Sequence, residues 1–254
     1  MKALLLAAGL GTRLKPITDT IPKCLVPING KPLLQFWLEQ LSNVGVTEFH
    51  INTHYFAEQV EAFAASMSAD YNITLHYEPE LTGTLGTLSN LSECLFNDEQ
   101  SVLVAHSDNL IFCNWQAFID YHKNSDSDLL GTMMTFTTDR PESCGIVETD
   151  SKQRLIAFHE KVNNPPSNHA SGAVFLFRSS LQPLLSIPQM PVPAEISLSL
   201  IPLLIGRLNC WHNHDYLRDI GSPESLAMAE QESLKYMTNT FHTDHQTPTT
   251  QELR

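Results

Sequence analysis

LLLAAGLGTRL occupies residues 4–14, and this stretch decides how the rest of the chain can be arranged. An apolar run ends in a loop that contains Gly9 and Gly11, only a few residues into the chain. A buried strand that leads into a glycine loop is typical of the first strand and turn of an α/β sheet. Because glycine has no side chain, the backbone of such a loop can approach another group closely.

The segments that follow in the first half alternate between strand and helix patterns, which predicts a doubly wound α/β sheet. The predicted strands cover residues 2–8, 47–53, 73–77, 101–105 and 128–137. The predicted helices cover residues 32–44, 55–66, 84–96 and 115–123.

The second half is less regular and predicts a β-rich subregion embedded in the same domain. Its predicted parts are a hairpin of residues 144–149 and 154–160, a loop at 163–169, a strand at 172–177, a Pro-rich connection at 186–195 and a short helix at 197–206. We predict one domain over residues 1–235, followed by a polar tail over residues 236–254. From about His242 the tail has no apolar periodicity, so we expect it to be loosely ordered.

Composition narrows the classes of function. The chain has 28 acidic and 15 basic residues, a formal charge of −13, so we expect neither nucleic-acid binding nor binding to an anionic membrane. The five cysteines are odd in number and contain no C-x-x-C pair, which predicts a reducing cytoplasm rather than a disulfide framework or a zinc site. The first apolar run ends at Arg13 and Lys15 and is too short to span a membrane, so it predicts a strand rather than a signal peptide.

The glycine loop alone leaves several interpretations open. A dinucleotide fingerprint needs a third glycine, where this chain has Leu14, and an acidic residue about 20 positions later, where it has Lys31. The P-loop spacing is absent, and a tight turn without a ligand stays an alternative. Arg13 and Lys23 near the loop, in an otherwise acidic chain, indicate an anion site in which glycine N–H groups and the two cations bind phosphate oxygens.

LAAGLGTRLKPITDTIPKCLVPINGKP, residues 6–32, resembles the signature of the sugar-1-phosphate nucleotidylyltransferases, which make nucleotide sugars from a nucleoside triphosphate and a sugar 1-phosphate. Further motifs follow in family order over roughly residues 1–230. They are EPELTGTLGTL (78–88), HSDN (106–109), CGIVETD (144–150), FHEKV (158–162) and YLRDIGSPESL (216–226). The resemblance implies an α/β fold with a Rossmann-like doubly wound mixed sheet of the nucleotide-diphospho-sugar transferase type, and a small β-rich sugar-binding subregion.

The resemblance also implies a set of site residues. Arg13 and Lys23 are the expected catalytic residues, the first at the β- and γ-phosphates and the second either at the α-phosphate or bridging to the sugar phosphate. The expected nucleotide-binding residues are Leu6, Ala7, Ala8, Gly9, Gly11, Thr12, Arg13, Lys23, Gly83, Thr84 and Gly86. The expected sugar-phosphate residues are Asp108, Gly145, Glu160, Lys161 and Gly172, and Asp108 and Asp219 are the expected ligands of Mg²⁺.

Departures from the family motifs concern the sugar rather than the reaction. Val162 follows the Glu-Lys pair where proline is usual, Ala170-Ser171-Gly172 replaces an asparagine-x-glycine, and Ser222 stands where threonine is common. Trp37 and Trp115 are predicted in the core, and the histidines as surface or satisfied side chains. His106 is the exception because it flanks the metal motif.

The implied reaction is Mg²⁺-dependent, in-line transfer of a nucleoside monophosphate to a sugar 1-phosphate, with pyrophosphate leaving. A short, bacterial, mannose-1-phosphate guanylyltransferase-like member is the best match, with GTP and mannose 1-phosphate or a related sugar such as heptose as substrates. The alternatives are a uridylyl- or thymidylyltransferase acting on N-acetylmuramic acid or glucose 1-phosphate, a non-catalytic nucleotide-sugar-binding regulatory subunit and, less favoured, a nicotinamide dehydrogenase. A homo-oligomer is an expectation from relatives, which often form dimers or tetramers.

Overall fold

The computed structural model describes residues 1–185 and 192–240, with the side chains of residues 238–240 left out. The strands are β1 (Lys2–Leu6), β2 (Pro27–Ile28), β3 (Lys31–Pro32), β4 (Glu48–Thr53), β5 (Ile73–Tyr77), β6 (Ser101–His106), β7 (Asn109–Phe112), β8 (Gly131–Thr137), β9 (Gly145–Thr149), β10 (Leu155–Glu160), β11 (His169–Arg178), β12 (Leu208–His212) and β13 (Tyr216–Asp219). The α-helices are α1 (Leu33–Ser42), α2 (Ala57–Met67), α3 (Thr84–Phe96), α4 (Trp115–Lys123), α5 (Gln182–Leu185) and α6 (Pro223–Thr240). Helical turns at Ile196–Leu200 and Ile201–Leu204 occupy the segment predicted as a short helix.

The central sheet is mixed, as the resemblance implies. Its main order is β10-β9-β11-β6-β1-β4-β5, in which β5, β4, β1 and β6 are parallel neighbours. β11 runs antiparallel to β6 and β8, which lie on its two sides, and at Ala170 it also pairs with β9 on the side opposite β8. β12 adds to β8 in parallel. The long strand β11 therefore joins the parallel half to the β-rich half in one sheet.

The two faces of the sheet bury separate parts of the core, because side chains of a strand alternate between faces. Leu4 and Leu6 of β1 pack with α3 in one cluster. Ala3 and Leu5 pack with α1 and α4 in the other, where Trp37 and Trp115 are buried as predicted. These strands carry apolar residues on both faces, which is typical of a parallel sheet covered on both sides.

A third cluster lies beside the sheet. It includes Leu14, Ile28, Leu110 and Ile220, together with Ala229 from α6. Here β7 and β13 form an antiparallel two-stranded ladder in which Asp219 is paired with Asn109. The ladder places the end of β13 next to the residue that follows Asp108, although more than a hundred residues separate them in the chain.

Several elements lie where the sequence pattern did not predict them. β2, β3, β7, β12, β13 and α6 were not predicted, and β11 begins at His169, inside the segment predicted as a loop. The predicted domain boundary at residue 235 falls within α6. Residues 186–191 of the predicted connection, and the predicted tail from about His242, lie outside the described residues. Within the described ranges, no helix combines the length and the apolar character needed to cross a membrane.

Candidate active site

Lys23 is the centre of the charged cluster at the carboxyl end of the parallel strands. Its side chain is buried, and its Nζ donates to Oδ2 of Asp108 at 2.7 Å and to Oδ1 of Asp219 at 3.0 Å. Burial disfavours the charged amine, but the two carboxylates outweigh that effect, so the pKa of Lys23 is raised. Burial likewise opposes ionisation of Asp108, yet the adjacent Lys23 and the nearby His106 hold the pKa of that carboxyl below its ordinary value. Lys23 and Asp108 are therefore both charged near neutral pH.

Three separate elements bring this cluster together. Lys23 begins a 3-10 turn, Lys23–Leu25, in which all three residues are buried. Asp108 lies two residues after the end of the buried strand β6, and Asp219 is the last residue of β13. The N–H of Ile220 donates to the carbonyl oxygen of Asp108 at 3.0 Å, which extends the β7–β13 ladder to the carboxylates themselves.

The two glycines of the first loop have different roles. Gly11 has a φ of +62°, and a Cβ there would lie 2.8 Å from Cγ2 of Thr18, whose hydroxyl donates to the Gly11 carbonyl at 2.8 Å. A Cβ at Gly9 would meet no atom within 4 Å. Gly11 is thus required by the turn, whereas Gly9 leaves open space at the cavity wall. Arg13 extends from the loop with its side chain 73% exposed and Nη2 3.5 Å from Oδ2 of Asp219, so its guanidinium is accessible to a ligand.

A cavity of about 260 Å³ opens beside the cluster. It lies at the carboxyl end of β1, whose neighbours β4 and β6 pair on opposite sides, and this is the position where α/β sheets bind ligands. Of the predicted site residues, eight line the cavity: Leu6, Ala7, Ala8, Gly9, Lys23, Gly83, Thr84 and Asp108. The nucleotide motifs are therefore brought together on one cavity wall.

The second glycine loop is held against a distant part of the chain. Gly83 has a φ of +82°, and a Cβ there would lie 2.3 Å from the backbone oxygen of Ala194. That oxygen accepts from the N–H of Leu85 at 2.9 Å, and the N–H of Ala194 donates to the carbonyl of Thr82 at 2.9 Å. Gly86 lies in the first turn of α3 and packs on Thr82 instead of lining the cavity. The backbone of Ala194 thus fixes the loop that precedes α3.

Sequence reasoning missed several residues of the cavity. Asn52 Nδ2 donates to Glu78 Oε1 at 2.9 Å, and the hydroxyl of Thr87 donates to the same oxygen at 2.5 Å. Asn52 lies one residue before the end of the buried strand β4, and a polar residue near a strand end is the signal that identified Asp108. Glu78 stands within the quoted motif EPELTGTLGTL. Pro193 and Glu195 carried no such signal, because the Pro-rich segment is far in sequence from the loop that it contacts.

The predicted sugar residues other than Asp108 lie outside that cavity lining. Glu160 is paired with Gly145 between β10 and β9, and a Cβ at Gly145 would lie 2.8 Å from Glu160 Oε2. Lys161 follows with its Nζ 3.4 Å from Glu160 Oε1 and its side chain 65% exposed. Gly172 lies within β11, and its carbonyl accepts from Asn109 Nδ2 at 3.4 Å. Gly172 is therefore tied to the residue after Asp108, whereas no contact joins Glu160 or Lys161 to Lys23 among the described residues.

Nine of the predicted site residues do not line the cavity: Gly11, Thr12, Arg13, Gly86, Gly145, Glu160, Lys161, Gly172 and Asp219.

The donor set tests whether a metal ion suits the cluster. Asp108 and Asp219 present carboxylate oxygens to one cation, and Mg²⁺ is usually held by one or two carboxylates together with substrate phosphates. Within the described part of the chain, no three His, Cys, Asp or Glu side chains are grouped as a closed metal cage would require. The cluster fits Mg²⁺ brought in with phosphates, and it does not fit an ion held by protein ligands alone.

Comparison with known proteins agrees with this geometry. A family model described as nucleotidyl transferase matches residues 2–235, and the chain therefore belongs to the nucleotidyl transferase family. The family predicted from the motifs is confirmed, and membership supports an enzyme of the nucleotidyltransferase class.

Individual relatives are more distant. The mannose-1-phosphate guanylyltransferase of Mycobacterium tuberculosis is 28% identical over 231 residues, which is 88% of this chain and 62% of that protein. The mannose-1-phosphate guanyltransferase of Schizosaccharomyces pombe is 29% identical over 233 residues, again 88% of this chain and 62% of that protein. The chain thus spans about 62% of the length of these curated relatives.

A solved structure supports the fold. A candidate glucose-1-phosphate thymidylyltransferase from Bacillus anthracis, crystallised with sucrose, superimposes with a TM-score of 0.80 and covers 98% of both chains at 21% sequence identity. At this identity the likeness bears on the fold alone, and it confirms the predicted Rossmann-like mixed α/β architecture.

Proposed function

We propose that this chain is a sugar-1-phosphate nucleotidylyltransferase that uses GTP and mannose 1-phosphate to form a nucleotide sugar and pyrophosphate. The observation that carries the proposal is the Lys23 cluster, in which one buried ammonium and two carboxylates stand at the mouth of the cavity beside the glycine loop. The two relatives described above are mannose-1-phosphate guanylyltransferases, and they support the choice of substrates.

The reaction brings two polyanions together. A phosphate oxygen of the sugar 1-phosphate attacks the α-phosphorus of the nucleotide, a new P–O bond forms, and the bond to the bridging oxygen of pyrophosphate breaks in line. Catalysis of this kind consists largely of alignment and charge neutralisation. We assign Lys23 to the α-phosphate, because its ammonium is charged and fixed next to the cavity. Arg13 is assigned to the departing pyrophosphate, since its exposed guanidinium can bind two oxygens at once.

Asp108 and Asp219 are the proposed holders of Mg²⁺. When bound with the nucleotide, Mg²⁺ would supply further neutralisation of phosphate charge. The carboxylates themselves orient Lys23 by accepting from its Nζ, and Asp219 also lies near Arg13. The same two side chains would therefore position both catalytic cations and the metal.

Glu160, Lys161, Gly145 and Gly172 are the proposed sugar residues. Because Gly145 has no side chain, the carboxylate of Glu160 can lie over its Cα. A carboxylate accepts hydrogen bonds, as binding of sugar hydroxyls requires. The exposed ammonium of Lys161 suits the sugar phosphate. We propose that the protein acts in the cytoplasm, which agrees with its five free cysteines. That it forms a homo-oligomer stays a prediction.

The test is pyrophosphate release with Mg²⁺ across a grid of nucleoside triphosphates and sugar 1-phosphates. The sugars would include mannose, glucose, glucosamine, heptose and N-acetylmuramic acid. We expect the highest rate with GTP and mannose 1-phosphate, and loss of that rate in Asp108→Asn but not in the surface control Asp70→Asn. A highest rate with UTP or dTTP would contradict the substrates, and binding of a nucleotide sugar without turnover would indicate a regulatory subunit.

A further inference from the structure

The candidate nucleotide cavity contains two carboxylates that the proposed reaction does not use. Glu78 follows β5 and Glu195 precedes the helical turn Ile196–Leu200, and both line the cavity together with Lys23. Within the described chain, the groups that donate to these two carboxylates are all uncharged. A carboxylate on the wall of a ligand cavity that is not paired with a protein cation can accept hydrogen bonds from donor groups of the ligand.

Glu78 has no acceptor capacity to spare. Its Oε1 accepts from Asn52 and Thr87, and its Oε2 accepts from both the N–H and the hydroxyl of Thr82 at 3.3 Å. Two oxygens offer about four acceptor positions, and all of them are used. Glu78 therefore holds the β5 loop and the start of α3 in place, and it does not read a ligand.

Only one carboxylate oxygen of Glu195 accepts hydrogen bonds from the described residues. Its Oε2 accepts from the hydroxyl of Thr84 at 2.6 Å and from the Thr84 N–H at 3.3 Å. No donor from the described residues reaches its Oε1. The Glu195 side chain is nevertheless fixed by the backbone of its neighbours. The Ile196 N–H donates to the same Thr84 hydroxyl at 2.8 Å, and both the N–H and the carbonyl of Ala194 form hydrogen bonds with the loop before α3. One carboxylate oxygen is thus held in the cavity wall with no donor from the described residues at its acceptor positions.

The bases differ in what they offer such an oxygen. Guanine presents two adjacent donors, N1–H and the N2 amine, on one edge. Uracil and thymine present a single N–H between two carbonyl oxygens, which a carboxylate repels, and adenine and cytosine pair an amine with a bare ring nitrogen. A carboxylate is acceptor-only when ionised, so guanine is the base that it favours most. Leu6, Leu81 and Pro193 add apolar surface to the same cavity for the faces of a base.

From these contacts we infer that Glu195 is the residue that selects guanine, with its Oε1 accepting from N1–H and the N2 amine of the bound nucleotide. This inference rests on the proposed function and specifies the base that the reaction uses. Sites built to hydrogen-bond a group on the substrate discriminate strongly against analogues that lack it.

The first test uses the unaltered chain and calorimetric binding of GTP, inosine triphosphate and UTP in the presence of Mg²⁺. Inosine triphosphate lacks only the N2 amine. A hydrogen bond to a charged group predicts binding of GTP about tenfold or more tighter than inosine triphosphate. Equal affinity for GTP and inosine triphosphate, or tighter binding of UTP than of GTP, would overturn the assignment of guanine.

The second test is the same ratio in Glu195→Gln, which can still accept from Thr84 but turns an amide donor toward the base. We expect the GTP preference over inosine triphosphate to fall to about one, with relative gain for UTP. If Glu195 served only to hold Thr84, all three affinities would fall together and the ratio would stay unchanged. The matched control is Glu80→Gln, which changes an exposed glutamate in the loop before α3. This variant should keep the preference for GTP over inosine triphosphate.

Failure of this inference is distinguishable from failure of the proposed function. Pyrophosphate release with UTP or dTTP in place of GTP would leave the reaction standing and refute the role of Glu195. Selective GTP binding without turnover on any sugar 1-phosphate would support Glu195 and refute the reaction. Absence of binding for every triphosphate would refute both.

Discussion

At the scale of single residues, the decisive side chain is Lys23. A buried lysine needs partners because its charge loses solvation, and here two aspartates from distant elements provide them. Each carboxylate remains partly exposed, so the cluster is open to a polyanionic ligand on one side. A cation that is fixed before the ligand arrives needs no reorganisation when charge shifts in the reaction.

Lys23→Ala should lower turnover about 100-fold or more, the usual loss when one preorganised charge contact is removed. It also removes the cation that the two carboxylates share and leaves only Arg13 near Asp219, so added Mg²⁺ should raise the melting temperature more in the variant than in the unaltered chain. Lys31→Ala, which removes an ion pair with Glu39 elsewhere, is the control. Equal responses to Mg²⁺ in the variant and the unaltered chain would argue against Asp108 and Asp219 as metal ligands.

His122 predicts how stability depends on pH. It is buried, with its ring nitrogens bonded to Ser101 and Thr132, and burial together with the charges of Arg178 and Lys123 lowers its pKa from 6.5 to about 4. Between pH 6.5 and pH 4 the unfolded chain binds more protons at His122 than the folded chain does. The contribution of His122 to the stability of the folded chain is therefore complete above pH 6.5 and is lost as the pH drops toward 4. The loss is ~3 kcal/mol, from the size of the shift. Urea unfolding at pH 7 and pH 5 should give a smaller difference in His122→Gln, and an unchanged difference would exclude His122 as the source.

At the scale of elements, the loop before α3 depends on a contact from the other end of the domain. Gly83 adopts a left-handed backbone, and the Ala194 carbonyl fills the space that a side chain would need. The loop, the start of α3 and Glu195 therefore form one unit, although they come from two parts of the chain. Its geometry is set by backbone hydrogen bonds more than by side-chain packing.

Gly83→Ala should destabilise the chain more than Gly206→Ala. Both glycines have positive φ values, 82° and 76°, but Gly83 also has a ψ of 165°, a backbone region that essentially only glycine adopts, so its variant carries backbone strain on the order of 1–3 kcal/mol. A Cβ at Gly206 would meet nothing within 4 Å, whereas at Gly83 it would collide with Ala194 and add about 2 kcal/mol. Urea unfolding of the two variants measures the difference, and equal losses would mean that the Ala194 contact yields without cost.

Elements differ in how far the sequence predicts them. The strands β1, β4 and β6 of the parallel half follow from hydrophobic pattern, because each is a nearly continuous buried run. β7 and β13 are four residues each and are stabilised by pairing with each other, so no local pattern identifies them. Asp108 and the glycines were found from strand ends and motifs. Glu195 was not, because its role depends on a contact with Thr84 that only the folded chain creates.

At the scale of the whole molecule, the candidate site draws on both halves of the sheet. Its charged residues come from the first loop, from the end of β6 and from the end of β13. β11 links the parallel strands to the strands that carry Glu160, so the predicted nucleotide and sugar groups share one sheet. A ligand that contacts all these segments would favour the folded state as a whole.

GTP with Mg²⁺ should therefore raise the melting temperature of the complete chain. At a ligand concentration of about 100 Kd the stabilisation is ~2.7 kcal/mol, which for a chain of this size corresponds to about 5–10 °C. Thermal unfolding with and without GTP measures the shift. Asp108→Asn should reduce the shift, and the same shift in that variant would mean that GTP binds away from this cluster.

The β7–β13 ladder also has a consequence for synthesis on the ribosome. The glycine loop, Lys23 and Asp108 are complete before half of the chain has been made, whereas Asp219 joins them only when β13 pairs with β7. Until then a nascent chain has one carboxylate beside Lys23 in place of two. The proposed Mg²⁺ site is thus completed only once β13 has been synthesised, after the residues that line the candidate nucleotide cavity.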